Sequence, residues 1–255
     1  MLSNIIRAAV KPRIQKTLLS STSQKSISCE WIKPTDHKSK SEIYKLRHKV
    51  MVRDVKSNPY TDDHYCIHGS GESGEFRDDF DDDVNTAHLA VRYRDNIVAS
   101  IRIVDGKNQK LEMEMEKWFD LRQNEKFSSM VTHPDNIAEP SRVVADRSIR
   151  GSNLVPLMYL HSLEWFQEND IYDFVGMVNS EAKPLMQHYT KWANCEWITD
   201  KPFNVDSFVK GRTAEACIIK IGKEGTKEHS NFLKSNYAPA FAAYTFLGLK
   251  NPLPT

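Results

Sequence analysis

The sequence predicts an α/β (α+β) fold, a central mixed, twisted sheet flanked by helices, and two patterns carry that prediction. AHLAVRY (87–93) and IVASIRIV (97–104) alternate apolar and polar residues around the turn-forming Arg94, Asp95 and Asn96, which reads as an antiparallel hairpin. From residue 141 onward, strand and helix signals alternate as β-α-β-α-β, the mark of a sheet with helices packed on it. With 255 residues, 40% of them hydrophobic and 27% charged, the chain can bury a substantial core in one domain.

Taken in order, residues 1–29 carry Arg7, Lys11, Arg13, Lys16 and Lys25, with no acid before Glu30. They also hold six serines, and Leu2, Ile5, Ile6, Ala9 and Val10 recur at roughly helical spacing. That is the composition of a mitochondrial transit peptide, so 1–29 is set outside the fold and the mitochondrial matrix is the expected location. Residues 30–225 form one expected domain and 226–255 a partly helical tail. SEIYKLRHKVMV (41–52) reads as a helix capped by Ser41. Residues 53–85 are polar and rich in Gly and Asp, as in a long loop or flap. A charged helical patch, LEMEMEKWFDL (111–121), precedes the strand SRVVA (141–145), the helix at 153–169, the strand DFVGMV (173–178), the helix at 180–192 and the strand CEWIT (195–199). EACIIKIG (215–222) is the last expected strand.

Several classes are excluded. Setting the leader aside leaves 30 basic residues against 34 acidic ones, a net −4 that does not suit a nucleic-acid partner. The longest nearly apolar run, APAFAAYTFLGL (238–249), is too short for a transmembrane segment. Cys29, Cys66, Cys195 and Cys217 form no C-x-x-C pair and read as free thiols.

Some charges fall where apolar residues belong. At about 100° per residue, Ile43, Leu46 and Val50 make one stripe and Arg47 sits on its edge, pointing toward the core. In IVASIRIV, Arg102 shares a face with Val98, Ser100 and Val104, opposite Ile97, Ala99, Ile101 and Ile103. Within RDDFDDD, Phe80 can dock the segment while its neighbouring aspartates reach Arg47 or Arg102. Glu139 and Arg142 would face opposite sides of a regular strand, so they share a site only if the strand is bulged or kinked near Pro140.

In that order, YKLRHKVM (44–51), DDFD (78–81), HLAVRYRDNIVASIRI (88–103) and EPSR (139–142) resemble the acyl-homoserine-lactone synthases and the long-chain N-acyl amino acid synthases. The resemblance covers roughly residues 40–200 and implies a GNAT-type acyltransferase. It also implies that Arg47, Asp78, Asp81 and Arg102, with Ser141, bind the amine substrate and order the flap, and that Glu139 and Arg142 are catalytic. Glu139 would be the general base, directly or through a water. The oxyanion would meet backbone N–H groups at the bulge, and the arginines would hold a substrate carboxylate. Met51 stands where the lactone synthases have an aromatic, and their tryptophan has no counterpart near Ser57. Both departures favour an amino acid over S-adenosylmethionine as acceptor.

The loop DRSIRGSN (146–153) stands where GNAT enzymes hold the donor's phosphates, which makes Arg147, Arg150, Gly151, Ser152 and Asn153 the donor-binding candidates. With one glycine there, the loop suits the single phosphate of an acyl carrier protein better than coenzyme A. No permanently bound cofactor and no metal is expected, the acyl thioester being a co-substrate. GSGESG (69–74) follows no strand and is set aside as a nucleotide motif. His64, Cys66 and His68 lack a second metal-ligating cluster. A non-catalytic acyl-binding module is the rival reading, with turnover dependent on Glu139 separating the two.

Overall fold

The first strand, β1 (Ile27–Ile32), begins inside the stretch set aside as a leader. Cys29 and Trp31 are buried in the main core, so residues 27–29 belong to the fold. The chain is seen in a computed structural model, which describes residues 27–53, 74–83, 85–106, 113–117, 120–121, 123–130, 137–149, 154–171, 173–180, 196–204, 213–220, 228, 231 and 244–247. The expected 180–192 helix apart from Ser180, the GSGESG stretch apart from Gly74, and His64, Cys66 and His68 lie outside those residues.

Helix α1 (His37–Arg47) starts four residues earlier than expected, because Asp36 rather than Ser41 is its cap. The Asp36 carboxylate accepts from the Ser39 N–H at 3.0 Å and from the Ser39 hydroxyl at 2.7 Å, satisfying donors that a helix start leaves open. Ser41 instead donates its hydroxyl to Glu75. Beyond Arg47 the helix widens into a π turn, His48–Arg53.

The hairpin forms as read. β2 (Thr86–Tyr93) and β3 (Asn96–Asp105) pair antiparallel, with positive φ at Arg94 (50°) and Asp95 (68°) in the two-residue turn. Positive φ at both positions is the geometry that matches strand twist in short hairpins. One reading fails here. Val91 pairs with Ala99 but Arg92 with Ile97, so Val98 is an extra residue in β3. This bulge turns Ile97 away from Ala99 and Ile101, into the cluster of Ile32, Ile43, Tyr44, Leu46, Ala90 and Val144 beneath α1.

The 111–121 patch, read as helical, contributes a 3₁₀ turn at Glu114–Lys117, followed by a short helix α2 (Glu125–Met130). Then come β4 (Ile137–Ala145), a 3₁₀ turn at Arg147–Ile149, helix α3 (Leu154–Glu168), β5 (Asp173–Asn179), β6 (Glu196–Trp197), β7 (Phe203–Asn204) and β8 (Thr213–Lys220). The tail, expected to be partly helical, is helical at Glu228 and Asn231 and also supplies a strand, β9 (Tyr244–Leu247), beside β1.

Among the described residues the strands form one mixed sheet in the order β6-β8-β5-β4-β3-β2-β1-β9, with β7 pairing β8. The β1–β9 and β4–β5 pairs are parallel and the rest antiparallel. Helix α3 covers one face, burying Leu157, Leu160, Leu163, Trp165 and Phe166 against Trp31, Leu89, Ile101 and Ile103. Helix α1 covers the other, and there the apolar packing gives way to charge. No described helix is long and apolar enough to cross a membrane.

Candidate active site

On the α1 face, side chains from six segments meet. Arg47, at the end of α1, is fully buried on the edge of the Ile43 and Leu46 stripe. Its guanidinium donates to Asp81 at 2.6 Å, bonds His88 Nδ1 at 3.3 Å and lies 5.5 Å from the centre of the Tyr44 ring. The flap delivers the aspartates through a local motif. Asp78 accepts from the Phe80 N–H at 3.1 Å, while the Asp81 carboxylate accepts from the Asp78 N–H at 2.9 Å, a capping box around the 3₁₀ turn Asp79–Asp82. Buried Phe80 docks the turn under the Arg102 guanidinium, 5.6 Å from its ring centre. The Phe76 N–H donates to the Tyr44 carbonyl at 3.0 Å, and Tyr44 and His88 both bond the Asp81 carbonyl, at 3.3 and 3.4 Å.

Arg102 reaches the cluster from β3. It pairs with Asp78, with Asp81 at 3.1 Å and with Glu114, and its Nε donates to Ser141 Oγ at 3.0 Å. Arg142 reaches it from β4 because of a second bulge. Arg102 pairs with Ser141 but Ser100 with Val144, so Arg142 and Val143 together oppose Ile101. Arg142 takes up the extra residue at φ 52°, a left-handed conformation rare outside glycine. Its side chain thereby joins the face of Ser141 and Glu139, where it pairs with Asp78 at 2.8 Å and Glu114 at 2.5 Å. Strand β4, expected to be distorted near Pro140, is bulged two residues further on.

The charges balance with one group to spare. Three guanidiniums face Asp78, Asp81 and Glu114 in mutual ion pairs. Burial alone would raise the aspartates' pKa values, but Arg102 with Arg142 at Asp78, and Arg47 with Arg102 at Asp81, outweigh it and hold both below the usual carboxylate range. Burial and then the Arg47 charge push His88 down to about 3, leaving a neutral imidazole. Among the described residues Glu139 has no ion pair. It accepts the Met115 N–H on both oxygens, at 3.2 and 3.4 Å, and burial followed by the neighbouring Glu114 charge raises it to about 8.

Next to this cluster the sheet opens. The β4–β5 ladder consists of Ile137 with Asp173 and Ala138 with Phe174, and ends just before Glu139. Beyond it β4 runs on as an extended edge whose backbone has no strand partner on β5.

The structure thus brings together Arg47, Asp78, Asp81, Arg102, Glu139, Ser141 and Arg142. Each of the three guanidiniums is ion-paired with an internal carboxylate. Of the donor-side candidates, Arg147 is exposed in its 3₁₀ turn, while Arg150, Gly151, Ser152 and Asn153 lie outside the described residues. Two residues were missed. Glu114 hid in an alternating Met/Glu run that imitates an exposed helix. His88 stands in a mostly apolar strand with no local pattern to mark it.

A mixed sheet that parts between β4 and β5, with the buried Glu139 carboxyl on the bulged strand at the opening, is the architecture that the sequence resemblance implied. The family model "N-acyl amino acid synthase FeeM" matches residues 42–196, more than half of the 255 residues, and the chain belongs to that family. Solved structures share its fold. A CoA-dependent acyl-homoserine lactone synthase, BjaI, with SAM and isopentyl-CoA, is 15% identical at a TM-score of 0.57, over 89% of this chain and 96% of that one. FeeM, an N-acyl amino acid synthase from uncultured soil microbes, is 8% identical at 0.56, over 82% and 99%. TofI, in a ternary complex with an inhibitor and MTA, is 15% identical at 0.51, over 80% and 96%. No curated protein matches the sequence.

Proposed function

We propose that this acyltransferase moves a fatty acyl group from an acyl thioester, on acyl carrier protein or coenzyme A, to the amine of an amino acid or related metabolite. The observation that carries the reading is Glu139, a buried carboxyl without an ion pair among the described residues, held where β4 parts from β5. The acceptor's ammonium gives a proton to Glu139, directly or through one water, and the freed nitrogen attacks the thioester carbonyl. As the C–N bond forms and the C–S bond breaks, backbone N–H groups on the free edge of β4 meet the oxyanion. The thiolate leaves and takes up the second proton, which the nitrogen sheds as it becomes an amide, and Glu139 returns the first to solvent.

Side chains of the described residues pack the interface between α3 and the sheet. Met113, Met115, Leu121, Val175 and Ile198, with Met177 and Phe127 packed against them, form an apolar cluster on Glu139's own side. Methionines yield to an inserted chain, so this cluster is the better seat for the acyl tail. Full-length protein incubated with acyl carrier protein or acyl-CoA thioesters and a panel of amines, amino acids and S-adenosylmethionine should yield a new amide by mass spectrometry. No amide from any pairing would sink the proposal. The leader is proposed to direct the chain to the mitochondrial matrix, with any cleavage falling before Ile27; a C-terminal fluorescent tag that reports another compartment overturns that location.

A further inference from the structure

We propose that Glu114 is a positioning residue for this reaction, which pairs with Arg102 and Arg142 so that Glu139 stays out of their ion pairs as the proton acceptor. The inference rests on the reading of Glu139 as base. Glu114 divides its carboxylate between two strands, with Oε2 on Arg102 of β3 and Oε1 on Arg142 of β4 at 2.5 Å. The next residue, Met115, is fully buried among Leu121, Ile137 and Val175, and its N–H holds the Glu139 carboxyl. One turn therefore does two things. Its first side chain occupies the arginines, and its next backbone donor fixes the group that the arginines would otherwise draw in.

The charged groups around Glu139 are Glu114 from the turn, Arg102 from β3 and Arg142 from its own strand, with Asp173 of β5 beside Ile137. If Glu114 lost its charge, three guanidiniums would face two aspartates. Glu139 would become the third counter-charge, tied to Arg102 as a poor base. Burial and the Glu114 charge both favour its protonated form.

The test is a ¹³C NMR titration of the Glu139 carboxyl, assigned by its loss in Glu139→Gln, alongside the pH profile of kcat/KM. Both are measured in wild type, Glu114→Gln and Glu114→Asp. Glu114→Gln should lower the Glu139 midpoint by about one pH unit or more, a tenfold loss of proton affinity. Glu114→Asp, which keeps the charge but draws it back, should lower it less, and the kinetic limb should move with the midpoint in both. An unchanged midpoint in folded Glu114→Gln overturns the proposal. Should that variant not fold, an unchanged midpoint in Glu114→Asp overturns it instead. A midpoint that falls while the kinetic limb stays in place supports the coupling and removes Glu139 from the role of base, so the two readings fail separately.

Discussion

Glu139→Gln tests the chemistry and the electrostatics of the site in one variant. Glutamine keeps the shape and an acceptor for the Met115 N–H but cannot take a proton. Losing a positioned base costs about 10²- to 10⁴-fold in rate. In wild type, with Glu139 raised to about 8, roughly one molecule in ten carries the ionised base at neutral pH, and kcat/KM should climb about tenfold per pH unit up to that point. The variant, assayed with the same amine, should lack this limb. Stability supplies a second reading. A carboxyl whose folded pKa is raised from 4.5 to about 8 contributes stability that is fully present below 4.5 and is lost as pH rises through 8. At about 1.4 kcal/mol for each tenfold in proton affinity, the loss is on the order of 5 kcal/mol. Urea denaturation near the two ends of that window should show wild type losing stability relative to the glutamine variant as pH rises, the other titrating groups cancelling between them. A variant that turns over within about threefold of wild type refutes the base role, and an equal stability gap at both ends refutes the raised proton affinity.

Asp81→Asn leaves Arg47 and Arg102 short of a buried partner and weakens the capping box, so it should destabilise by about 3–5 kcal/mol in urea denaturation; a loss under 1 kcal/mol, the size of an exposed pair, would contradict a buried network. Gly106→Ala should cost about 1–3 kcal/mol, since the new methyl would sit 2.8 Å from the Ile137 carbonyl oxygen and 2.7 Å from the Met113 terminal methyl, and a neutral result would mean that the β3–β4 junction yields freely. Asp36→Ala, which removes the α1 cap, should cost about 1 kcal/mol by the same assay, whereas Ser41→Ala costing more would return the helix start to the position read from sequence.

Much of the site was legible because charge on an apolar stripe is a local signal. Arg47 could be placed from the spacing of Ile43 and Leu46, and the DDFD segment from one aromatic among acids. The distortion of β4 was inferred because Glu139 and Arg142 could not otherwise meet. Bulges themselves leave no periodic trace, which is why Ile97 was put on the wrong face. The 114–117 turn was misread because its alternation is set by tertiary contacts, Met113 and Met115 entering an apolar cluster while Glu114 answers two arginines across the sheet. The Asp36 cap was overlooked because the first turn it starts, HKSK, has no apolar residue to announce a helix.

The pairing of β9 with β1 joins segments more than two hundred residues apart along the chain. A molecule shortened before Tyr244 would leave the outer row of amides and carbonyls on Ile27–Glu30 open, a template for any extended segment of a neighbouring molecule. Clumping in C-terminally trimmed preparations would then report an uncovered border rather than a damaged interior.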